Sequence, residues 1–215
     1  MATDFERPEP ALVQRAGTYP SATLHEAMGR KGALPSAIKP VARGMRLCGP
    51  AFTVEARPLN NINIHRAIAR AVPGDVLVVS VGGAYEGGYF GEIMAHGAAT
   101  RRLGGLVIDG CVRDADLLEE IGFPVFARGL AIRGTLKEEG GSLNQAITVG
   151  DVTVRPGDIV VGDRDGVVVV PREDVGSALA TAQAREEKEA EVIEQIRAGK
   201  TTVEIYGWSR GGTSA

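Results

Sequence analysis

Gly105-Leu106-Val107-Ile108-Asp109-Gly110-Cys111-Val112-Arg113-Asp114 is the stretch that decides the fold. Its apolar residues 106–108 predict a buried strand, and a Gly-Cys-Val turn then leads to the pair Arg113-Asp114. A second apolar strand, Asp75 to Val81, runs into residues 82–91, which are so rich in glycine that we call them the glycine loop. Strands that are apolar throughout and alternate with helices are typical of an α/β sheet covered on both faces. The sequence therefore predicts an α/β fold.

The remaining segments extend this alternation of strands and helices. Near the N-terminus, Ser21 to Met28 predicts a short helix with Ser21 or Thr23 at the N-cap, and Glu26 is positioned to form a capping box with Thr23. Toward the C-terminus, short strands separated by Asp/Gly turns predict a β-rich meander. The other predicted strands are 46–56, 124–127, 148–154, 158–161 and 166–170, and the other predicted helices are 61–71, 92–103, 114–121 and 172–197.

Length and composition restrict the class of protein. The 215 residues are enough for one sizeable core, and we predict a single domain over residues 1–215. A net charge of −3 and an aromatic content of 5% argue against a nucleic-acid partner. The N-terminus lacks a hydrophobic signal region, and no stretch approaches the ~20 apolar residues of a membrane span. We therefore expect a cytoplasmic protein without a membrane partner.

The sequence lacks the motifs of several common enzyme classes. It contains no G-x-G dinucleotide fingerprint, no Walker A loop and no G-x-S-x-G nucleophile elbow. Cys48 and Cys111 have no C-x-x-C spacing and no neighbouring histidine, so we expect buried free thiols. The three histidines lack the spacing of a zinc site. Any metal would therefore be bound through oxygen, which favours Mg²⁺ or Mn²⁺.

Glu92 and the pair Arg113-Asp114 are candidates for such chemistry, because both follow strand-to-helix turns, where α/β sheets bind ligands. A glycine loop lets backbone N–H groups approach an anion, an arginine fork binds a carboxylate, and an aspartate offers a hard oxygen to a divalent cation. Simpler roles exist as well. Asp114 can cap a helix, Arg113 can form a surface ion pair, and Glu92 is a favourable acid in a first helical turn. The residues alone leave both explanations open.

Longer segments of the chain carry a resemblance to a known family, from about Ala22 to Trp208. These segments are Thr23-Leu24-His25-Glu26-Ala27, Arg30-Lys31-Gly32, Gly74-Asp75-Val76-Leu77-Val78-Val79, Gly88-Tyr89-Phe90-Gly91-Glu92, residues 105–114, Gly122-Phe123-Pro124-Val125, Gly134-Thr135, residues 165–170 and Ile205-Tyr206-Gly207. The chain resembles the class II pyruvate aldolases of the RraA-like family, which cleave 4-hydroxy-4-methyl-2-oxoglutarate and 4-carboxy-4-hydroxy-2-oxoadipate. Aldolase-competent members share an acidic residue, twenty intervening residues and an Arg-Asp pair. Glu92 and Arg113-Asp114 match that spacing, with glutamate where some members have aspartate.

The resemblance implies roles for the reacting groups. Asp114 would be the direct protein ligand of Mg²⁺ or Mn²⁺, whose remaining ligands would be waters and the substrate. Arg113 would bind the keto or enolate oxygen, where negative charge develops during the cleavage. Glu92 would activate a water that removes the proton of the C4 hydroxyl group. No Schiff-base lysine is needed.

The resemblance also implies how the substrate is bound. Gly91 and the backbone amides of Ile93 and Met94, at a helix N-terminus, would hold the pyruvyl carboxylate of a 2-oxo acid. His65 lies in a segment that is often near the substrate, although a structural histidine is the simpler explanation. Lys31 and Lys137 lie in family-like segments and could touch the substrate.

The resemblance further implies a fold and an assembly. The fold would be a single α/β/β domain like the swivelling phosphohistidine-domain-like fold, assembled as a homotrimer or homohexamer with active sites between subunits. The C-terminal helix, at about residues 172–198, would pack at a subunit interface. From there Glu189 would reach the water shell of the metal in the neighbouring subunit. On its pattern alone, the charged run 185–191 around Glu189 is usually a solvated helix face.

The implied activity is retro-aldol cleavage to pyruvate and a second 2-oxo acid. Oxaloacetate decarboxylation is the expected side activity, because both reactions form the enolate of pyruvate. Two other functions stay open, namely a dedicated oxaloacetate decarboxylase and a regulator that binds a ribonuclease, as some RraA-like members do. A third function, quinone methyltransferase, is disfavoured by the absent cofactor fingerprint.

Overall fold

The computed structural model describes residues 5–208, which form ten strands and seven α-helices. The strands are β1 (Lys39–Pro40), β2 (Leu47–Glu55), β3 (Val76–Ser80), β4 (Gly105–Val112), β5 (Val125–Leu130), β6 (Ser142–Leu143), β7 (Ile147–Val149), β8 (Val152–Val154), β9 (Ile159–Asp163) and β10 (Gly166–Val170). The helices are α1 (Pro10–Ala16), α2 (Ser21–Ala27), α3 (Ile62–Arg70), α4 (Glu92–Thr100), α5 (Ala115–Ile121), α6 (Val175–Arg197) and α7 (Thr202–Tyr206). The extent of the predicted domain, 1–215, stays a prediction, because residues 1–4 and 209–215 lie outside the described range.

Eight of the strands form one curled sheet in the order β1-β5-β4-β3-β2-β9-β10, and β6 pairs with β2. Strands β2, β3, β4 and β5 are parallel, whereas β9 joins β2 and β10 joins β9 in antiparallel pairs. At the other edge, β1 pairs antiparallel with β5 and also approaches β9 and β10. Lys39 there donates a hydrogen bond to the carbonyl of Asp165. The two edges thus nearly meet, and the sheet is an almost closed barrel.

The predicted alternation of strands and helices is confirmed in the parallel half of the sheet. Helices α3, α4 and α5 follow β2, β3 and β4 in turn. Strand β3 buries its first four residues, and β4 buries every residue except Cys111. Helix α3 turns its apolar residues Ile64, Ala67 and Ile68 into the same core. Burial on both faces explains why these strands are apolar throughout rather than alternating. The α/β fold class is therefore confirmed.

Strand β4 continues further than the sequence predicts. The turn predicted at Gly110-Cys111-Val112 is wrong, because these residues still belong to the strand. The pairing of β4 with β5 shifts in register between Ile108 and Cys111, which marks a β-bulge. A bulge bends its strand and changes the direction of the side chains that follow. The strand thus carries the chain directly to Arg113 without an intervening loop.

Two further local predictions are wrong. The capping box expected at Thr23 and Glu26 does not form, because α2 already begins at Ser21. Both the backbone N–H and the hydroxyl of Ser21 donate to the carboxylate of Asp163, each at 2.7 Å, so the helix is capped from the end of β9. Segment 148–154 is not one strand but the hairpin of β7 and β8.

Helix α6 begins on the body of the protein and ends beyond it. Its N-terminal residues pack in a second apolar cluster together with α2, β9 and β10. Its C-terminal turns expose Ile193 and Ile196, and α7 exposes Val203 and Tyr206. These exposed apolar residues are of the kind that contacts another protein surface. Within residues 5–208, every helix is too short or too polar to cross a lipid bilayer.

Candidate functional site

A cavity of about 320 Å³ lies where the glycine loop meets the end of β4. The three charged residues that the sequence singled out, Glu92, Arg113 and Asp114, all line this cavity. The predicted substrate-binding residues are also brought there. They are His65, Gly91, Ile93 and Met94. The sequence-based grouping of these side chains in one pocket therefore agrees with the geometry of the chain.

Backbone hydrogen bonds join the glycine loop to β4. The N–H of Cys111 donates to the carbonyl of Tyr85 at 2.8 Å, and the N–H of Tyr89 donates to the carbonyl of Cys111 at 3.1 Å. One step further on, the N–H of Arg113 donates to the carbonyl of Phe90 at 3.0 Å. These bonds continue the ladder of the sheet into the loop and fix the position of Gly91.

Asp114 has a left-handed backbone conformation, with φ 60° and ψ 40°. This conformation is uncommon outside glycine, although asparagine and aspartate adopt it most readily among the other residues. It turns the carboxylate back toward the start of α4, where Oδ2 accepts a hydrogen bond from the N–H of Glu92 at 3.1 Å. The Nε atom of Arg113 lies 3.5 Å from the same oxygen. The remaining oxygen, Oδ1, accepts no hydrogen bond from the residues that the structure describes, and it is available to a ligand.

Gly91 is required by the closeness of Asp114. A Cβ atom built on Gly91 would lie 2.3 Å from Oδ2 of Asp114, well inside van der Waals contact. The backbone of Gly91 itself is extended, so the glycine is needed for space and not for an unusual φ angle. Helix α4 begins at the next residue, and its first amide reaches Asp114 across the gap.

We expect Gly91→Ala to displace the Asp114 carboxylate and to lower activity strongly while the protein stays folded. The carboxylate must rotate away, because the added methyl group and Oδ2 cannot share the space. The expected loss in kcat is about 100-fold, the usual cost when a reacting group is misplaced by about 1 Å. Gly97→Ala is a matched control in the same helix, because the nearest atom to its Cβ is 3.6 Å away. Equal activity of the two variants would contradict the argument.

Two backbone amides at the start of α4 are free to bind an anion. The first amides of any helix lack acceptors within the helix. The N–H of Glu92 is used by Asp114, whereas those of Ile93 and Met94 donate to no acceptor within residues 5–208. Both residues line the cavity. The positive end of the helix dipole and two unsatisfied donors therefore face the same space.

The opposite wall of the cavity comes from a segment that the sequence analysis marked as family-like at Gly134-Thr135 and at Lys137. Residues 131–141, which we call the lysine loop, contribute Gly134, Thr135 and Lys137 to the lining. Asn61, the residue just before α3, is a further lining residue that we did not predict. Its amide Nδ2 donates to the carbonyl of Tyr89 at 3.0 Å, which links α3 to the glycine loop. The signal in the sequence was the run Asn60-Asn61-Ile62-Asn63, which is unusually polar for a buried helix start.

His65 and Lys137 are electrostatically coupled across the cavity. Burial lowers the pKa of His65, and the positive charge of Lys137 lowers it further. The imidazole is therefore neutral at neutral pH and gains a proton only under more acidic conditions than an ordinary histidine. Because the imidazole is neutral, the charge on this wall of the cavity comes from Lys137 and is positive.

We expect Lys137→Met to raise the pKa of His65 toward its ordinary value. The sign follows from the loss of a nearby positive charge, which makes protonation of the imidazole easier. The rise should be partial, because burial of His65 is the larger cause and is unchanged by the substitution. The titration of the imidazole signals by NMR measures the pKa directly. Lys200→Met, in the turn between α6 and α7, is the control and should leave the His65 pKa where it is.

Glu189 is not brought to the cavity of its own chain. It lies in the second half of α6, where its carboxylate forms an ion pair with Nε of Arg185 at 2.8 Å and stays partly exposed. Arg185 also lies 3.8 Å from Glu26 of α2. Part of the charged run 185–191 is therefore a solvated face with internal ion pairs. A role for Glu189 in a metal site requires a second copy of the chain.

The two cysteines are free but are not buried as completely as predicted, since both are only half-buried. Burial raises the pKa of Cys48 to about 11, and its thiol donates to the carbonyl of Val13. The pKa of Cys111 is also raised, by burial and by the nearby carboxylate of Glu86. A raised pKa keeps a thiol protonated and unreactive. Neither cysteine is a candidate nucleophile.

The donor atoms around the cavity fit a magnesium-type ion and not an all-protein metal cage. Among the described residues, no group of three histidine, cysteine or acidic side chains is close enough to enclose a metal. Asp114 lines the cavity, and its Oδ1 accepts no hydrogen bond from the described residues. Mg²⁺ is commonly held by one or two carboxylates and keeps several waters, so a single oxygen ligand beside an open cavity suits it.

An almost closed α/β sheet and a cavity that gathers free amides, an arginine and a carboxylate define an α/β protein with one candidate ligand site. The sequence profile of the RraA-like family, described as Aldolase/RraA, matches residues 21–169. The chain belongs to the RraA-like family.

Known relatives agree with this assignment. A Halalkalibacterium halodurans protein named "Putative 4-hydroxy-4-methyl-2-oxoglutarate aldolase" is 34% identical over 169 residues, which cover 79% of this chain and 80% of that protein. A solved structure of an uncharacterized Pseudomonas syringae protein has a TM-score of 0.79 and 30% identity, over 92% of this chain and 97% of the other. Streptomyces coelicolor RraAS2, described as an unusual member of the RNase ES inhibitor RraA protein family, has a TM-score of 0.76 and 27% identity, over 88% of this chain and 98% of the other. The RraA fold expected from the sequence is therefore confirmed.

Proposed function

We propose that this protein is a divalent-metal-dependent pyruvate aldolase that cleaves a 4-hydroxy-2-oxo di- or tricarboxylate, such as 4-hydroxy-4-methyl-2-oxoglutarate or 4-carboxy-4-hydroxy-2-oxoadipate. The products are pyruvate and a second 2-oxo acid, pyruvate or oxaloacetate. The observation that carries the proposal is the convergence of two free amides, an arginine and an unpaired carboxylate oxygen on one cavity. Each of these groups has a partner on a 2-oxo acid or on its metal.

The bound substrate is oriented by groups on both sides of the cavity. The pyruvyl carboxylate accepts hydrogen bonds from the amides of Ile93 and Met94, whose donors are free. Arg113 faces the keto oxygen with its planar guanidinium group. Lys137, across the cavity, supplies a further positive charge for a second carboxylate. A substrate with two acidic ends therefore fits better than one with a single acidic end.

Asp114 would hold the metal through its free oxygen Oδ1. When bound, a divalent ion acts as a Lewis acid that withdraws electrons from the keto group of the substrate. The other carboxylate oxygen stays hydrogen-bonded to the N–H of Glu92, which fixes the direction of the side chain.

Glu92 would transfer the proton, and Arg113 would stabilise the negative charge that develops. Glu92, through a water, removes the proton of the C4 hydroxyl group, so that a C4 carbonyl forms as the C3–C4 bond breaks. The electrons of that bond pass into the enolate of pyruvate, whose oxygen is stabilised by Arg113. Protonation of the enolate carbon then gives pyruvate. Oxaloacetate that loses CO₂ leaves the same enolate, which makes oxaloacetate decarboxylation the expected side activity.

The proposed active enzyme is a homotrimer or homohexamer. In a single chain the side chain of Arg113 is 48% exposed and that of Asp114 is 34% exposed, so the site is open to solvent. Helix α6 and α7 expose apolar residues away from the body, as an interface would require. In such an assembly, Glu189 from a neighbouring subunit would hydrogen-bond to the waters around the metal.

Pyruvate release is the measurement that tests the proposed function. The purified protein is incubated with 4-hydroxy-4-methyl-2-oxoglutarate or with oxaloacetate, in Mg²⁺ and in EDTA. We expect turnover of both substrates in Mg²⁺ and its loss in EDTA, with recovery on addition of Mn²⁺. Turnover that survives EDTA would refute the metal-dependent mechanism, and turnover of oxaloacetate alone would identify a dedicated decarboxylase.

A second function is favoured by the similarity to Streptomyces coelicolor RraAS2. A regulator would act by binding a ribonuclease and would need no metal. Absence of turnover with either substrate, together with inhibition of RNase ES by the purified protein, would support this function instead. The free amides and the open oxygen of Asp114 favour the enzyme, because a binding surface has no need of them.

A further inference from the structure

The asparagine run before and within α3 connects both walls of the cavity. Asn60, Asn61 and Asn63 are each no more than 6% exposed, although their side chains are polar. Every one of their Nδ2 groups donates to a backbone carbonyl of another segment. Buried amides that are used in this way act as fixed connections, because breaking one leaves an unpaired carbonyl away from water.

Asn60 performs two tasks with one side chain. Its Oδ1 accepts from the N–H of Ile62 at 3.1 Å and so satisfies the first turn of α3. Its Nδ2 donates to the carbonyl of Glu138 at 3.0 Å, in the lysine loop. Because both ends of the amide are used, its rotamer is fixed relative to the helix and to the loop at once.

The neighbours of Lys137 on both sides are tied to the segment just before α3. On one side, the N–H of Leu136 donates to the carbonyl of Leu59 at 2.8 Å, and the N–H of Asn61 donates to the carbonyl of Leu136 at 3.1 Å. On the other side of Lys137, the Nδ2 of Asn60 donates to the carbonyl of Glu138. A lysine side chain is long and flexible, so the location of its ammonium group depends on how firmly its backbone is held.

The next contact along the lysine loop is of a different kind. Arg66 pairs with the carboxylate of Glu139 through both terminal nitrogens, at 2.9 Å for one of them. The side chain of Glu139 is 82% exposed, and an exposed ion pair contributes little to stability because water and salt screen its charges. The buried amide of Asn60 should therefore control the loop more than this ion pair does.

We infer that Asn60 is a positioning residue, which fixes the lysine loop at Glu138 and thereby holds the ammonium group of Lys137 in the cavity. The inference rests on the proposed function for its effect on substrate, but not for its effect on the position of Lys137. Asn60 does not line the cavity, so its influence on a ligand passes through the elements that it contacts, which are the lysine loop and the start of α3.

The test compares Asn60→Ser with Arg66→Ala. Serine keeps an oxygen that can accept from the N–H of Ile62, but it is too short to reach Glu138. Arg66→Ala removes the exposed ion pair one residue further along and is the matched control. For Asn60→Ser we expect KM for 4-hydroxy-4-methyl-2-oxoglutarate to rise about fivefold, as for the loss of one hydrogen bond, with kcat and Mn²⁺ affinity nearly unchanged. Arg66→Ala should change KM by less than about twofold.

A second measurement, the pKa of His65, needs neither substrate nor metal. If Lys137 moves away in Asn60→Ser, the pKa of His65 should rise toward its value in Lys137→Met, whereas Arg66→Ala should leave it unchanged. In addition, KM of the double variant Asn60→Ser with Lys137→Met should equal that of Lys137→Met alone, because Asn60 acts through Lys137. A purely structural role for Asn60 would raise KM further in the double variant.

The two measurements, KM and the pKa of His65, distinguish failure of this inference from failure of the proposed function. An unchanged pKa of His65 in folded Asn60→Ser overturns the inference, whatever the activity. A risen pKa of His65 in a protein without aldolase activity supports the positioning of Lys137 and refutes the aldolase. If Asn60→Ser does not fold, Asn60→Thr, which keeps the hydroxyl and fills more of the space, allows the same two measurements.

Discussion

Asp114→Asn should abolish metal-dependent cleavage while the protein keeps its fold and assembly. Asparagine tolerates the left-handed backbone at this position and can still accept a hydrogen bond from the N–H of Glu92. What it lacks is the negative charge that a divalent ion requires. We expect kcat to fall by about 1,000-fold, which corresponds to roughly 4 kcal/mol of lost stabilisation. Pyruvate release at saturating Mg²⁺ measures the fall, and Mn²⁺ titration followed by electron paramagnetic resonance measures the loss of binding.

Asp116→Asn is the matched control for that experiment. Asp116 is an exposed acid in the first turn of α5, only two residues away, and it does not line the cavity. Its substitution should change neither turnover nor Mn²⁺ binding. Asp114→Ala is a less clean variant, because alanine in a left-handed conformation adds about 1 kcal/mol of strain to the loss of the carboxylate. Turnover of Asp114→Asn within about tenfold of the unmodified protein would refute the assignment of Asp114 as metal ligand.

Arg113→Ala should have the second largest effect, and it should fall on kcat more than on KM. The guanidinium group stabilises charge that develops only as the C3–C4 bond breaks, so its removal costs the transition state more than the bound substrate. Loss of one such donor lowers kcat by about 100-fold to 1,000-fold. The side chain is half-exposed, so the free energy of unfolding should hardly change. Initial rates over a range of oxaloacetate and aldol substrate concentrations separate the two kinetic constants.

Two further variants show whether the effect of Arg113→Ala comes from its charge and whether it is specific to the cavity. Arg113→Lys keeps the charge but loses the planar fork, and it should recover only part of the lost activity. Arg155→Ala removes an arginine that is 59% exposed and lies outside the cavity, and it should leave both kcat and KM unchanged. A fall in kcat that Arg113→Lys restores completely would show that charge alone suffices, and a rise in KM without a change in kcat would assign Arg113 to substrate binding only.

The central strands and the helices between them could be predicted because their signals are local. Strand β3 was expected at Asp75 to Val81 and is found at Val76–Ser80, and helix α3 was expected at 61–71 and is found at Ile62–Arg70. A strand that is buried on both faces appears in the sequence as an unbroken apolar run. A helix with one buried face appears as apolar residues spaced three to four positions apart.

Helix ends were predicted less well because their partners are distant in the sequence. The capping acceptor of α2 is Asp163, which no local pattern around Thr23 and Glu26 could indicate. A true capping box does form at Thr201 and Glu204, where both partners are local, but the short helix α7 was not predicted.

For the site, the sequence could indicate which side chains meet but not how they are held. Glu92, Arg113 and Asp114 were grouped through their positions after strands, and they do line one cavity. The left-handed backbone of Asp114 and the space that Gly91 leaves for it are properties of atoms from two segments, so neither segment reveals them alone. The position of the lysine loop as a wall of the cavity could not be predicted for a similar reason, because the loop is held by asparagines far away in the chain.

The almost closed sheet has a consequence for how the chain acquires its structure. Its outer pairings join Lys39 to Ala127 and Leu47 to Gly162, so they form only after long stretches of chain have been brought together. Closing such long loops costs entropy before any contact compensates it, which makes folding slow. A chain still being synthesised, with β9 not yet released, would already contain all the residues of the cavity. It would also leave the edge of β2 open to strands of other chains, and this is the stage at which aggregation competes with folding.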